Sequence, residues 1–282
     1  MPFLLICDIV IEKSGFFEGK EEKKMKLTNK SRIGILSGAV LFTAAIGITA
    51  AVLLLPSRAS EPHPLPGGFT VTAHTGCMDT EMNTLGSLQT ALDSGAQTVE
   101  FDVRFLADGT PVLGHDEGDK SAASDTISDA LAMVAARPGI TVNLDLKEFS
   151  PLERLQEVVE QTGMMGRVFY TGVDADHIAA VRAATPKIPC YLNASFNVLN
   201  RRSAAHLEEL VQLCLDSGAI GINCSYQNNS EQLVRLCHEN GLLLSVWTVD
   251  NESDMDIQLD LAPDNITTRR PDLLLPKAQE HI

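Results

Sequence analysis

Positive charge is scarce in this chain. It carries 22 lysines and arginines against 37 aspartates and glutamates, for a formal net charge of −15 over 282 residues. The imbalance sharpens from residue 56 onward, where 15 basic residues face 32 acidic ones. A domain this acidic has no general attraction for nucleic acid, and an anionic ligand would need a cation supplied locally. Cysteine is sparse too. Six cysteines are present, five of them after residue 56 (Cys77, Cys190, Cys214, Cys224, Cys237), and none is spaced as C-x-x-C. That excludes the common zinc spacings, and the odd, scattered set argues against a disulfide scaffold while leaving room for one bridge. No Gly-x-Gly-x-x-Gly turn follows the first strand, which weakens a dinucleotide-binding sheet. Tryptophan occurs once, as Trp247. Its place in Leu242-Leu-Leu-Ser-Val-Trp-Thr-Val249 suits a pocket wall or a plain core position equally.

What the chain does have begins with one long apolar run. Ile33 to Leu55 holds no charged residue. As a helix rising about 1.5 Å per residue it would reach roughly 34 Å, enough for a hydrocarbon core of about 30 Å. Lys23, Lys24, Lys26, Lys30 and Arg32 precede it with no acid among them, so the positive-inside rule sets residues 1–32 in the cytoplasm and everything after the run outside. The expectation is a single-pass cell-membrane protein with an extracytoplasmic domain. A cleaved signal peptide is the competing reading, because Ser57-Arg-Ala59 resembles a small-x-small cleavage site. The first 24 residues are unusual ahead of such a signal, and Met25 is an alternative start. Residues 56–68, rich in proline and glycine, read as a stiff extended linker.

From residue 69 to 282 short β-branched runs alternate with amphipathic stretches. The strands expected are 69–74, 98–103, 140–146, 168–171, 189–192, 220–224, 242–249 and 265–268. Helical periodicity is clearest over 83–94, 152–162, 175–184, 203–217, 230–240 and 252–261. Eight strands alternating with helices over some 210 residues predict an α/β fold, a (β/α)8 TIM barrel. Asn-x-Ser/Thr matches at Asn223 and Asn265 fall inside expected strands and are read as chance.

The barrel directs attention to the C-terminal ends of its strands, where active sites of this fold sit. His74, Glu100, Asp102, Asp145, Lys147 and Trp247 all fall at or near such ends. Glu100 and Asp102 lie two apart in Thr98-Val-Glu-Phe-Asp-Val103, so both carboxylates leave one face of a strand. With Asp145 they offer hard oxygen donors suited to Ca²⁺ or Mg²⁺ rather than Zn²⁺. His74 and His115 are the candidate general base and acid, since imidazole alone titrates near neutrality with little tuning. Lys147 shares the face of Asp145 and is placed to contact an anionic oxygen, to pair with the acids, or to do both.

In this order the residues resemble the glycerophosphodiester phosphodiesterase family. The matching segments are His74-Thr-Gly76, Met82-Asn-Thr84, Glu100-Phe-Asp102, Asp108-Gly109 and His115-Asp116. Asn143-Leu-Asp-Leu-Lys147, Val246-Trp-Thr-Val-Asp250 and Thr267-Thr-Arg-Arg-Pro-Asp272 follow. The resemblance spans about residues 69–275. It implies metal-dependent cleavage of glycerophosphodiesters to glycerol 3-phosphate and an alcohol. His74 and His115 would be the acid/base pair, Glu100, Asp102 and Asp145 the metal ligands, and Lys147 a phosphate contact. Thr75 and Trp247 would also face the substrate.

Four departures stand out. Thr75 replaces the family's phosphate-gripping arginine, and a hydroxyl cannot do the work of a bidentate cation. Met82 replaces an acid, Asp145 is one methylene shorter than the usual glutamate, and Arg269 replaces an acid near the last strand. The expectation is therefore a working but divergent phosphodiesterase. The alternatives are an impaired barrel that binds a phosphodiester or a cell-surface partner, and a lyase-type enzyme releasing a cyclic phosphate.

Overall fold

The structure, a computed structural model, describes residues 57–197 and 200–281. The apolar run Ile33–Leu55 and its basic flank lie outside the described residues. Among those that are described, no helix is long and apolar enough to cross a membrane.

Eight parallel strands form the barrel: β1 (Thr70–Ala73), β2 (Thr98–Phe105), β4 (Thr141–Leu146), β5 (Val168–Thr171), β6 (Leu192–Asn193), β7 (Gly221–Ser225), β8 (Leu243–Trp247) and β9 (Asn265–Thr268). Their order around the sheet is β5-β4-β2-β1-β9-β8-β7-β6. The ring closes through the parallel bridge of Tyr170 with Cys190, just ahead of β6. A helix follows each parallel strand: α1 (Leu85–Asp93), α2 (Ile127–Ala135), α3 (Leu152–Gln161), α4 (Ile178–Ala184), α5 (Ala204–Ser217), α6 (Glu231–Glu239), α7 (Glu252–Leu261) and α8 (Pro271–Glu280). The TIM barrel expected from the alternating pattern is the architecture found.

The helices begin where the chain supplies an acceptor for otherwise unpaired N–H groups. Thr84, Thr126, Ser203, Ser230 and Asn251 each accept from a backbone N–H two residues inside the helix that follows, a contact worth about 1 kcal/mol. Three elements exceed the sequence expectation. β3 (Pro111–Leu113) runs antiparallel to β2 and makes a hairpin with it. Helices α2 and α8 occupy segments in which no helix was expected.

Strand alternation divides the barrel into two environments. Val99, Phe101, Val103 and Phe105 of β2, with Val142, Leu144 and Leu146 of β4, are buried in the core that the helices cover. The intervening positions turn to the lumen and are polar: Thr98, Glu100 and Asp102 on β2, Asn143 and Asp145 on β4. The lumen is tied together by its own hydrogen bonds. Thr98 and Thr141 hydroxyls meet at 2.7 Å. Asn265 Nδ2 donates to Thr72 Oγ1 at 2.7 Å, and Ser245 Oγ donates to Asn265 Oδ1 at 3.0 Å. Asn223 and Asn265 are thus lumen residues at 5 % exposure, which agrees with reading their sequons as chance.

The five cysteines in the barrel are buried and unpaired. Gly221, which opens β7 opposite Leu243, marks a close approach: a Cβ there would overlap the Leu243 backbone carbonyl. Gly221→Ala is therefore expected to destabilise the barrel by about 1–3 kcal/mol or more, read as a lower denaturation midpoint at unchanged slope.

Candidate active site

The C-terminal ends of the strands open into a cavity of about 480 Å³. His74, Glu100, Asp102, His115, Asp145, Lys147 and Trp247 all line it. Seven of the eight residues singled out from the sequence therefore meet at one mouth.

The carboxylates come together because β2 and β4 pair in parallel with Asp102 beside Asp145 and Glu100 beside Asn143. Ligand oxygens of Glu100, Asp102 and Asp145 lie within 4.8 Å of one another. Glu100 and Asp102 are buried, at 5 % and 1 % exposure. Lys147, two residues past Asp145, places Nζ 2.6 Å from Asp145 Oδ2 and 3.0 Å from Asp102 Oδ1. Burial works against the ammonium, but Asp145 and Asp102 more than compensate and hold Lys147 above the ordinary lysine range. Of the two roles open to Lys147, the acid pairing is the one the geometry displays.

Glu100 moves the other way. Burial, then the neighbouring Asp102 and Asp145 charges, push its carboxyl well above the usual carboxylate range. One lysine does not neutralise three clustered acids, two of them buried. A second cation would, and three hard oxygens are what Ca²⁺ or Mg²⁺ prefers. The donor set fits a divalent ion of that kind.

His74 ends β1. Its Nδ1 donates to the Thr75 carbonyl oxygen at 2.8 Å, which fixes the tautomer and leaves Nε2 as the nitrogen able to accept a proton. Burial, then the Arg269 charge, lowers the His74 pKa. Its 3.6 Å approach to Glu100 Oε2 is for that reason no ion pair, because burial disfavours charge on both partners. His115 sits on the loop between β3 and α2, half exposed, with Nδ1 donating to Asp116 Oδ1 at 2.9 Å. Arg104 Nε donates to the His115 carbonyl oxygen at 2.8 Å, while Arg104 Nη1 reaches Glu148 at 2.8 Å. The loop is thereby clamped to the strand ends.

Thr75 is a correction. It was expected to face the substrate, yet it is 3 % exposed, does not line the cavity, and its Oγ1 accepts from the Asn83 N–H at 2.6 Å. Its backbone N–H donates to Glu100 Oε2 at 2.9 Å. Thr75 is a structural support for Asn83 and Glu100. The neighbouring Gly76, at φ +75°, has Met82 Cγ where its Cβ would project; Met82 in turn lines the cavity. Trp247 is 40 % exposed at the mouth, which removes the core alternative.

Several lining residues were not anticipated. Asn143, Thr171, Asn193, Asn223 and Thr267 form a polar floor, with Asn193 Oδ1 accepting from Asn223 Nδ2 at 3.0 Å and from the Gly172 N–H at 3.1 Å. The signal for them was the same period of two that located the acids. Asn83 was missed as well. Its Nδ2 donates to Asp102 Oδ2 at 2.7 Å, and its Oδ1 accepts from the Asp102 N–H at 3.0 Å.

A TIM barrel with buried carboxylates, a lysine and two histidines at its C-terminal mouth is built as a hydrolytic enzyme. Comparison with known proteins agrees. The family model described as "Glycerophosphoryl diester phosphodiesterase family" matches residues 70–165 and 136–273. A glycerophosphodiester phosphodiesterase of Caldanaerobacter subterraneus subsp. tengcongensis is 26 % identical over 234 residues, covering 73 % of this chain and 96 % of the relative. One from Bacillus subtilis is 23 % identical, covering 83 % of this chain and 94 % of the relative. Among solved structures, an Oleispira antarctica phosphodiesterase in complex with the product sn-glycerol-3-phosphate superposes with a TM-score of 0.61 at 20 % identity, covering 77 % of this chain and 97 % of that one. The chain belongs to the glycerophosphoryl diester phosphodiesterase family. It is an enzyme of the phosphoric diester hydrolase class.

Asn83→Ala is expected to cost about 1–3 kcal/mol of stability by leaving a buried Asp102 oxygen unpaired. Asn83 holds φ +56°, so Asn83→Gly separates the causes. Glycine relieves the backbone strain, and a loss that persists in that variant, measured by denaturant titration, belongs to the hydrogen bonds.

Proposed function

We propose that this chain hydrolyses a glycerophosphodiester to glycerol 3-phosphate and an alcohol, with His74 and His115 as the acid/base pair. The observation that carries the reading is the meeting of both histidines with Glu100, Asp102, Asp145 and Lys147 in one cavity.

Glu100, Asp102 and Asp145 would hold a Ca²⁺ or Mg²⁺ ion, which when bound supplies Lewis-acid stabilisation of charge growing on the phosphoryl oxygens. The remaining work falls to the chain itself. His74, largely buried and with its pKa lowered, accepts at Nε2 the proton of the attacking water. His115, half exposed at the cavity mouth, returns a proton to the departing alkoxide. Lys147 ties the carboxylates of Asp102 and Asp145 together from one side. The polar floor of Asn143, Asn193, Asn223 and Thr267 offers donors and acceptors to a hydroxylated glycerol group. The apolar run Ile33–Leu55 with its basic flank would tether the barrel to the outer face of the membrane.

Replacing His74 or His115 by alanine is expected to lower kcat by about 10²- to 10⁴-fold, measured as glycerol 3-phosphate release with Ca²⁺, Mg²⁺ or EDTA present. Glu100→Gln should lose metal stimulation and activity together, and unchanged metal affinity by calorimetry would remove Glu100 from the ligand set. The pH profile has a definite sign. A base must be unprotonated, and the pKa of His74 is lowered; the acid limb of kcat/KM is therefore expected below the ordinary imidazole value of about 6.5. An acid limb above that value would argue against His74 as the base. Accumulation of a cyclic phosphate in place of glycerol 3-phosphate would identify the lyase-type route. Phosphate binding without turnover would identify an impaired barrel.

A further inference from the structure

We propose that Arg269, at the end of β9, is the side chain that grips the substrate phosphate in this chain. The inference rests on the phosphodiester reading above and deepens it. A phosphodiester carries a negative charge into a cavity lined by Glu100, Asp102, Asp145 and Asp174. Two residues of lysine or arginine type line that cavity, Lys147 and Arg269. Lys147 is committed, with Nζ within 3.0 Å of one buried carboxylate and 2.6 Å of a second.

Arg269 is held but not consumed. Its backbone N–H donates to Asp250 Oδ1 at 2.7 Å and its Nη1 to Asp250 Oδ2 at 3.2 Å. No other side-chain donor of Arg269 has a partner among the described residues. The Arg269–Asp250 pair is partly exposed, at 37 % and 40 %, as a contact open to a ligand must be. Asp250 orients the guanidinium, and the rest of its planar fork matches two phosphate oxygens.

Position supports the same role. Arg269, His115 and Met82 line both the inner cavity and a second one that adjoins it. A diester whose two alcohols occupy the two cavities has its phosphate at that boundary. Arg269 is also close enough to His74 for its charge to bear on that ring. A phosphate at the boundary would thus lie between the base and the loop that carries His115. Thr75, at the end of β1, is turned to Asn83 and supplies no donor to the cavity. The positive charge enters from β9 instead.

The test uses the full chain and two variants, Arg269→Gln and Arg269→Lys. Inorganic phosphate and Mg²⁺ binding are measured separately by calorimetry, and turnover is measured on glycerophosphodiesters. Arg269→Gln is expected to weaken phosphate binding and lower kcat/KM by about 10²-fold. Its Mg²⁺ affinity should be unchanged. Arg269→Lys, which keeps the charge and the Asp250 partner but not the fork, should fall between, and serves if the glutamine variant fails to fold. Equal phosphate affinity in all three proteins overturns the proposal, as does failure of the unmodified chain to bind phosphate. A loss of Mg²⁺ affinity matching the loss of phosphate affinity also overturns it, because Arg269 would then act through the carboxylates. If the unmodified chain turns over no glycerophosphodiester while phosphate binding still depends on Arg269, the hydrolysis reading falls and the anion contact stands.

Discussion

The pairing of β2 with β4 sets Asp102 directly beside Asp145, and two carboxylates at that spacing repel. The rest of the site answers this placement. Lys147 bridges the pair, Asn83 takes one oxygen of Asp102, and the Thr171 hydroxyl lies 3.0 Å from Asp145 Oδ1. Even so, Glu100 remains raised by burial and by both aspartates. The acids are brought together, and Lys147 is placed between them, by the one register of β2 on β4.

That register is secured from the other side of the sheet. Side chains alternate across each strand, so a slip of one residue would carry Val99, Phe101 and Val103 into the lumen and the acids into the apolar layer. Each large apolar side chain moved out of the core would forfeit about 1.5–3 kcal/mol, and each carboxylate driven into the apolar layer would cost more. The lumen resists too, because its amides and hydroxyls are paired in specific contacts such as Asn265 with Thr72 and Asn223 with Asn193. The apolar shell and the polar lumen thus specify the same alignment independently.

The legible part of the sequence was the part with a period. Alternation over Thr98–Val103 and Thr141–Leu146 exposed the strands, and the acids stood out against apolar neighbours. The hairpin strand β3, three residues long and begun by a proline, has no such period. Helix α2 carries the signal Thr126-x-x-Asp129, but the small residues of Ala130-Leu-Ala-Met-Val-Ala-Ala136 blur its amphipathic face. In α8, Pro276 lies inside the helix and obscures it. Thr75 misled for a different reason. Position in a motif does not give the direction of a side chain, and at a strand end a buried hydroxyl that satisfies a backbone N–H looks in sequence like one that meets a ligand. The roles of Asn83 and Asp250 depend on contacts 19 residues away in each case, and no local pattern encodes them.

An acidic domain that takes an anion poses an electrostatic question which distance resolves. The exposed acids of the barrel act through water, and beyond a Debye length of about 8 Å at physiological salt their repulsion is largely screened. At the mouth the walls are protein and the charges are held at contact distance, where a single interaction is several times stronger than in water. Local placement therefore outweighs the total. Arg269 illustrates how narrow the balance is. Its charge lowers the His74 pKa, while its Nη1 stays paired with Asp250. The Arg269 guanidinium brings positive charge to the end of the last strand, and Thr75 leaves the end of the first strand without one.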